Sequence, residues 1–99
     1  MTVKRSRLEI YVEILKTIKS GVNKPTVILY RCNLAWKPLM GILETFVNNS
    51  LVEVVERGSR KTYNLTEKGR DFLKQFESTE VFIANLRGQK STVNALNLP

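Results

Sequence analysis

Two runs of alternating apolar and polar side chains, residues 51–56 (LVEVVE) and 60–65 (RKTYNL), flank Arg57-Gly58-Ser59. With Gly58-Ser59 as a two-residue turn, Val52 pairs with Leu65, Val54 with Tyr63, and Glu56 with Lys61. That register lines four apolar side chains on one face and ends in an ion pair. A slip of one residue would send every side chain to the other face. The same register sets Arg57 against Arg60 at the tip, a like-charge pair that either splays into solvent or holds a phosphate. A two-stranded ribbon is marginal alone in water, so the hairpin needs helices to cover its apolar face.

The rest of the chain supplies them. Ser6-Arg-Leu-Glu9 has the form of a capping box, and Leu8, Tyr11, Val12, Leu15 and Ile18 follow at helical steps. The spacing predicts a helix over 7–20 with Gly21 as its C-terminal cap. Pro25 opens a second helix whose apolar face is Ile28, Leu29 and Cys32, and Asn33 suits a left-handed turn. A third helix over 36–48 carries Leu39, Ile42, Leu43, Phe46 and Val47 inward. Two short helices across so tight a turn form a helix-turn-helix.

Thr66 is a good N-cap for a last helix, with Glu67 in its first turn and Gly88 as its stop. On that helix Phe72, Phe76, Thr79, Ile83 and Leu86 follow a 4-3-4-3 spacing, a narrow heptad seam. The fold expected is mainly α with a small β-hairpin (α+β): a winged helix-turn-helix with a C-terminal dimerisation helix. Tyr11, Tyr30 and Tyr63 are expected in the core with a wet hydroxyl, and Cys32 as a small buried apolar residue.

Composition removes several chemistries. With no histidine and one cysteine there is no zinc finger, no His-containing triad and no internal disulfide. No apolar run approaches the roughly 20 residues needed to span a bilayer, and the basic N-terminus lacks an apolar segment behind it. The expectation is a cytoplasmic protein with no cofactor, no metal, no membrane partner and no enzymatic activity; no spacing gathers its carboxylates and thiol into an acid–base pair or nucleophile.

The 99 residues carry 16 Lys+Arg against 9 Asp+Glu, a net charge of +7. No acidic residue occurs between Ile14 and Leu43, where Lys16, Lys19, Lys24, Arg31 and Lys37 all fall. A lopsided basic surface attracts polyanions.

Two motifs carry a resemblance. Tyr30-Arg-Cys-Asn-Leu-Ala35 at the helix 2–3 turn and Leu65-Thr-Glu-Lys-Gly-Arg-Asp-Phe-Leu73 after the hairpin resemble the small archaeal winged-helix DNA-binding proteins, over about residues 5–87. The resemblance implies dimerisation through a C-terminal antiparallel coiled coil. In this chain Ala35 stands at the N-cap where those proteins often have Ser. Ser50 replaces the usual Gly after helix 3, leaving Asn49 or Ser50 to make the left-handed turn.

The resulting organisation is a basic N-terminal arm (1–6), a winged helix-turn-helix DNA-binding domain (7–66), a dimerisation helix (67–87) and a loose tail (88–99). In a helix-turn-helix the second helix enters the major groove. Removing the inner stripe of helix 3 leaves Trp36, Lys37, Met40, Gly41, Glu44 and Asn48 outward. Lys37 suits a phosphate or guanine edge, and Glu44 and Asn48 suit cytosine or adenine edges. Trp36 either packs on sugar and phosphate or lids the core. Gly41 either lets a backbone approach or relieves crowding against a neighbouring helix.

Arg57, Arg60 and Lys61 on the wing suit phosphates or a minor groove, Lys24 and Arg31 at the ends of helix 2 suit phosphates, and Lys4, Arg5 and Arg7 form a basic arm. Phe72, Phe76, Thr79, Phe82, Ile83 and Leu86 are the expected dimer interface. The function expected is a homodimeric double-stranded DNA-binding protein of the nucleoid, either a transcriptional regulator or a chromosome organiser. The competing expectation is a winged-helix protein–protein module that does not touch DNA.

Overall fold

The capping box at Ser6 starts the first helix. In the computed structural model, which describes residues 5–88, the Ser6 hydroxyl accepts the Glu9 amide at 3.1 Å and the Glu9 carboxylate accepts the Ser6 amide at 2.7 Å. These bonds to the charged form hold the Glu9 carboxyl below the usual carboxylate range. Helix α1 (Arg7–Lys19) runs from there to Ser20, and Gly21 breaks it at φ +107°. α1 packs against α2 (Pro25–Cys32), the hairpin and the last helix. Because neighbours surround it, Ile14 is buried together with Val12, Leu15 and Ile18. Leu8, expected on the inner stripe, is 49% exposed, since it sits in the first turn where its face is left uncovered.

Asn33 ends α2 in the left-handed region (φ 54°, ψ 54°), as its side chain tolerates. Ala35 then starts α3 (Trp36–Asn48) with no side-chain cap. Leu39, Leu43 and Phe46 are its buried residues, and Phe46 meets Tyr11 of α1 edge to face with centroids 5.4 Å apart. The chain leaves α3 through Ser50, which takes the left-handed turn at φ 61°.

Strands β1 (Val52–Arg57) and β2 (Arg60–Leu65) pair antiparallel in the expected register, Val52 with Leu65, Val54 with Tyr63, Glu56 with Lys61 and Arg57 with Arg60. Val52, Tyr63 and Leu65 are buried under the helices. The mainly helical body with its two-stranded antiparallel wing is the expected fold class.

Thr66 locks the last helix, α4 (Glu67–Gly88), to the corner between α3 and β1. Its hydroxyl accepts the Gly69 amide at 2.9 Å and donates to the Ser50 carbonyl, while its own amide donates to the Leu51 carbonyl at 3.1 Å. That carbonyl lies against Gly69 so closely that a Cβ there would overlap it, with Leu65 crowding the same space. The motif after the wing is therefore a joint, and its glycine is required by a backbone in contact.

From that joint the inward stripe of α4 is Leu73, Phe76, Glu77 and Glu80, residues three and four apart. Leu73 is fully buried and Phe76 packs against the core. Glu77 and Glu80 meet Lys19 (3.5 Å) and Lys16 (2.9 Å) of α1. Phe76, expected in the dimer seam, is thus turned toward its own chain. Phe72, Phe82, Ile83 and Leu86 lie exposed on the neighbouring face, Phe82 by 62%. Helix α4 continues through Gly88, and the tail expected beyond it, residues 89–99, lies outside the described residues, as does Lys4 of the N-terminal arm.

Gly69→Ala should lower stability in urea denaturation by about 3 kcal/mol, at the upper end for forced overpacking. Thr66→Ala should cost about 1–2 kcal/mol, the range for a lost N-cap. A neutral Gly69→Ala would mean that the joint yields.

Candidate nucleic-acid interface

On α3 the side opposite the core presents Lys37, Gly41, Glu44 and Asn48, all exposed as expected. Thr45 shares this arc, a residue missed by the sequence reading although its four-residue step from Gly41 places it there. Its hydroxyl donates to the Gly41 carbonyl at 3.0 Å. Met40, expected outward, is half-buried against the core because the hairpin flanks that side of the helix. With Val47, Val54 and Tyr63 it floors a cleft of about 460 Å³ between α3 and the wing, bordered by Lys37, Gly41, Glu44 and Lys61.

Trp36 is 50% exposed at the start of α3. Tyr30, expected in the core, is 81% exposed. The reason is angular: α2 buries Ile28 and Cys32 on one face, and Tyr30 lies two residues, about 200°, round from Ile28. A Cβ on Gly41 would meet nothing within 4 Å, so crowding does not account for that glycine.

The wing's basic residues divide between its two faces. Strand alternation turns Lys61 toward α3 with Val54 and Tyr63, and Lys61 stands 3.7 Å from Glu56. Arg57 and Arg60 fall on the other face with Val55, Thr62 and Asn64, beside Asn23 of the α1–α2 loop. Arg5 is engaged as a tether: it pairs with Glu13 and donates to the Asn33 carbonyl at 3.4 Å, tying the N-terminus to the turn between α2 and α3. Arg7, by contrast, is exposed and borders a second groove on the far flank of α3, with Gly41 and Thr45.

Arg7, Lys24, Arg31, Lys37, Arg57 and Arg60 have no carboxylate partner among the described residues. All six are exposed, on α1's first turn, at the N-cap and last turn of α2, on α3 or at the hairpin tip. Cys32 is fully buried, its Sγ 3.5 Å from the Thr17 hydroxyl, and burial pushes its thiol up. Among the described residues no group of acidic or thiol side chains is placed to hold a metal ion, and no helix is long and apolar enough to cross a membrane.

A family model described as winged helix-turn-helix matches residues 4–83. The uncharacterized protein MJ0290 of Methanocaldococcus jannaschii is 36% identical over 81 residues, 82% of this chain; the chain spans 36% of that protein's length. Among solved structures, Sso10a-2, a DNA-binding protein from Sulfolobus solfataricus, is similar with a TM-score of 0.74 at 23% identity, over 96% of this chain and 99% of that one. At that identity the likeness shows the fold alone. AF1382 from Archaeoglobus fulgidus is similar with a TM-score of 0.66 at 28% identity, over 76% of this chain and 88% of that one.

Gly41→Ala should raise stability by about 0.5–1 kcal/mol, the difference in helix propensity, as read by thermal unfolding. A loss of stability would show that some neighbour needs the space.

Proposed function

The chain belongs to the winged helix-turn-helix family, and from that premise we propose that it is a dimeric double-stranded DNA-binding protein of the nucleoid. It serves either as a transcriptional regulator or as a chromosome organiser. The observation that carries this reading is that Arg7, Lys24, Arg31, Lys37, Arg57 and Arg60, at the first turn of α1, the two ends of α2, the first turn of α3 and the hairpin tip, have no carboxylate partner among the described residues. Exposed cations left without internal partners are available to phosphates, and their counterions are released on binding.

In this reading α3 lies in the major groove and the wing reaches phosphates or the adjacent minor groove. Lys37 meets a guanine edge or phosphate, Glu44 accepts from cytosine, and Asn48 pairs with adenine. Few side chains read bases, so sequence preference is modest beside the backbone contribution. Arg7 is the described member of the N-terminal arm that faces DNA, because Arg5 is held by Glu13. That Sso10a-2 is described as a DNA-binding protein supports the reading.

Residues 7–66 grip DNA and residues 67–87 join two protomers. The support for pairing is the stripe of Phe72, Thr79, Phe82, Ile83 and Leu86 on α4, which its own chain leaves exposed. Apolar surface in a continuous row on a projecting helix marks an interaction face. A second copy, antiparallel, covers it and places two α3 helices about a twofold axis.

Affinity of the dimer for duplex DNA should fall with salt at a log–log slope of about −0.9 per phosphate contact, which is about −11 for six contacts from each of two protomers. Lys37→Gln, which removes one contact from each protomer, should reduce the magnitude of the slope by about two, measured by fluorescence anisotropy. An affinity indifferent to salt would refute the backbone role.

Phe82→Lys with Ile83→Lys should give a folded monomer in analytical ultracentrifugation, with weaker DNA binding. Unchanged dimer mass would place the contact elsewhere.

A further inference from the structure

We infer, on the DNA-binding reading above, that Arg5 and Glu13 are positioning residues for α3: they hold the turn from which it starts, and neither contacts DNA. Arg5 directly precedes Ser6, whose backbone is fixed by the capping box. Its Nη1 donates to the Glu13 carboxylate, and its Nη2 donates to the Asn33 carbonyl at 3.4 Å. A planar guanidinium can serve two separate acceptors at once, which a lysine ammonium does without any fixed fork. With 30% of its side chain exposed, Arg5 is largely withdrawn from solvent.

The turn it reaches has few other ties. Asn33 and Leu34 direct their amides back to α2, onto the Tyr30 carbonyl at 3.3 Å and the Leu29 carbonyl at 3.1 Å. Ala35 gives α3 no side-chain cap, and the first turn of α3 holds no acidic residue. The start of α3 thus lacks both of the usual local anchors for a helix N-terminus. Among the described residues the Arg5 bond is the one side-chain hydrogen bond that reaches residues 33–38. Leu39 anchors α3 from within by full burial, but apolar contact is non-directional. Charge-assisted bonds from a planar group are directional.

The same side of α1 also holds the end of α2. Thr17, one turn beyond Glu13, donates its hydroxyl to the Glu13 carbonyl at 2.8 Å and lies 3.5 Å from the Cys32 Sγ. Cys32 is met by Thr17 directly, and Asn33 is met by Glu13 through Arg5. By charge alone, a carboxylate close to a polyanion-binding surface opposes binding, so its removal should strengthen it. A positioning role demands the opposite sign.

The test uses the full chain with a short duplex. Affinity and its salt slope are read by fluorescence anisotropy, and amide hydrogen exchange is followed by NMR on the free protein. Glu13→Ala and Arg5→Gln should each weaken binding about fivefold, because fewer chains hold α3 in the binding orientation. The salt slope should stay unchanged, since no phosphate contact is lost. Arg5→Lys, which keeps the charge and loses the fork, should fail to restore affinity. In the free variants the Asn33, Leu34 and Leu39 amides, all hydrogen-bonded in the structure, should exchange about tenfold faster, as for a lost bond to a charged group. The Leu15 and Ile18 amides should stay protected, which reports an intact core.

Tighter binding by Glu13→Ala, or full affinity in Arg5→Lys, overturns the positioning role. So does a slope smaller in magnitude by about two for the Arg5→Gln dimer, which would make Arg5 a phosphate contact. Unaltered exchange at the turn overturns it as well. A wild-type chain that binds no duplex refutes the DNA reading instead, and the exchange rates then decide by themselves whether Arg5 and Glu13 hold the turn.

Discussion

The carbonyl of Leu51 is the point on which the architecture turns. It accepts the Thr66 amide and lies in contact with Gly69, while the Thr66 hydroxyl holds both Ser50 and the first turn of α4. One corner thus joins the end of α3, the beginning of β1, the end of β2 and the start of α4. The direction in which α4 leaves is set there, and with it which residues of that helix meet α1 and which remain outside. Leu73 and Phe76 close the core on one side, and the exposed stripe follows from the same rotation.

Local chemistry in this chain was legible before any tertiary contact. The capping box, the left-handed Asn33, the uncapped Ala35, the Thr66 cap and the full hairpin register each depend on a few neighbouring residues and short-range sterics. Period-two alternation around a glycine turn leaves the hairpin one register that buries its apolar face. What was not legible was which of several elements covers a given side. Leu8, expected on the inner stripe, is exposed, and Ile14, outside that stripe, is buried, because α1 is surrounded along its middle and bare at its first turn. Tyr30 is outside because α2 is only eight residues long and its buried face is used up by Ile28 and Cys32.

The candidate interface shows the same division. The outward side of α3 was readable from helical phase, including Lys37, Glu44 and Asn48. Met40 was not, because only the placement of the hairpin decides that its side becomes a cleft floor. Charge was the least readable quantity. Arg5 and Arg7 are two residues apart, yet one is tied to Glu13 and the Asn33 carbonyl while the other is free of ion pairs among the described residues. Likewise Lys61 and Arg60 are adjacent and sit on opposite faces of the wing. Counting basic residues gave the sign of the surface, and the fold determined how that charge is distributed.

Lysine–glutamate contacts at Lys16–Glu80 and Lys19–Glu77 clip α4 to α1, and both are solvent-accessible. Exposed pairs of this kind contribute about 0–1 kcal/mol each and weaken as ions accumulate. Past Glu80 the helix runs on for roughly 12 Å, its direction fixed at its root by the Leu51 corner and the buried Leu73. Added salt therefore weakens the polar half of the seam between α4 and α1 and leaves the apolar half, Leu73 and Phe76, in place.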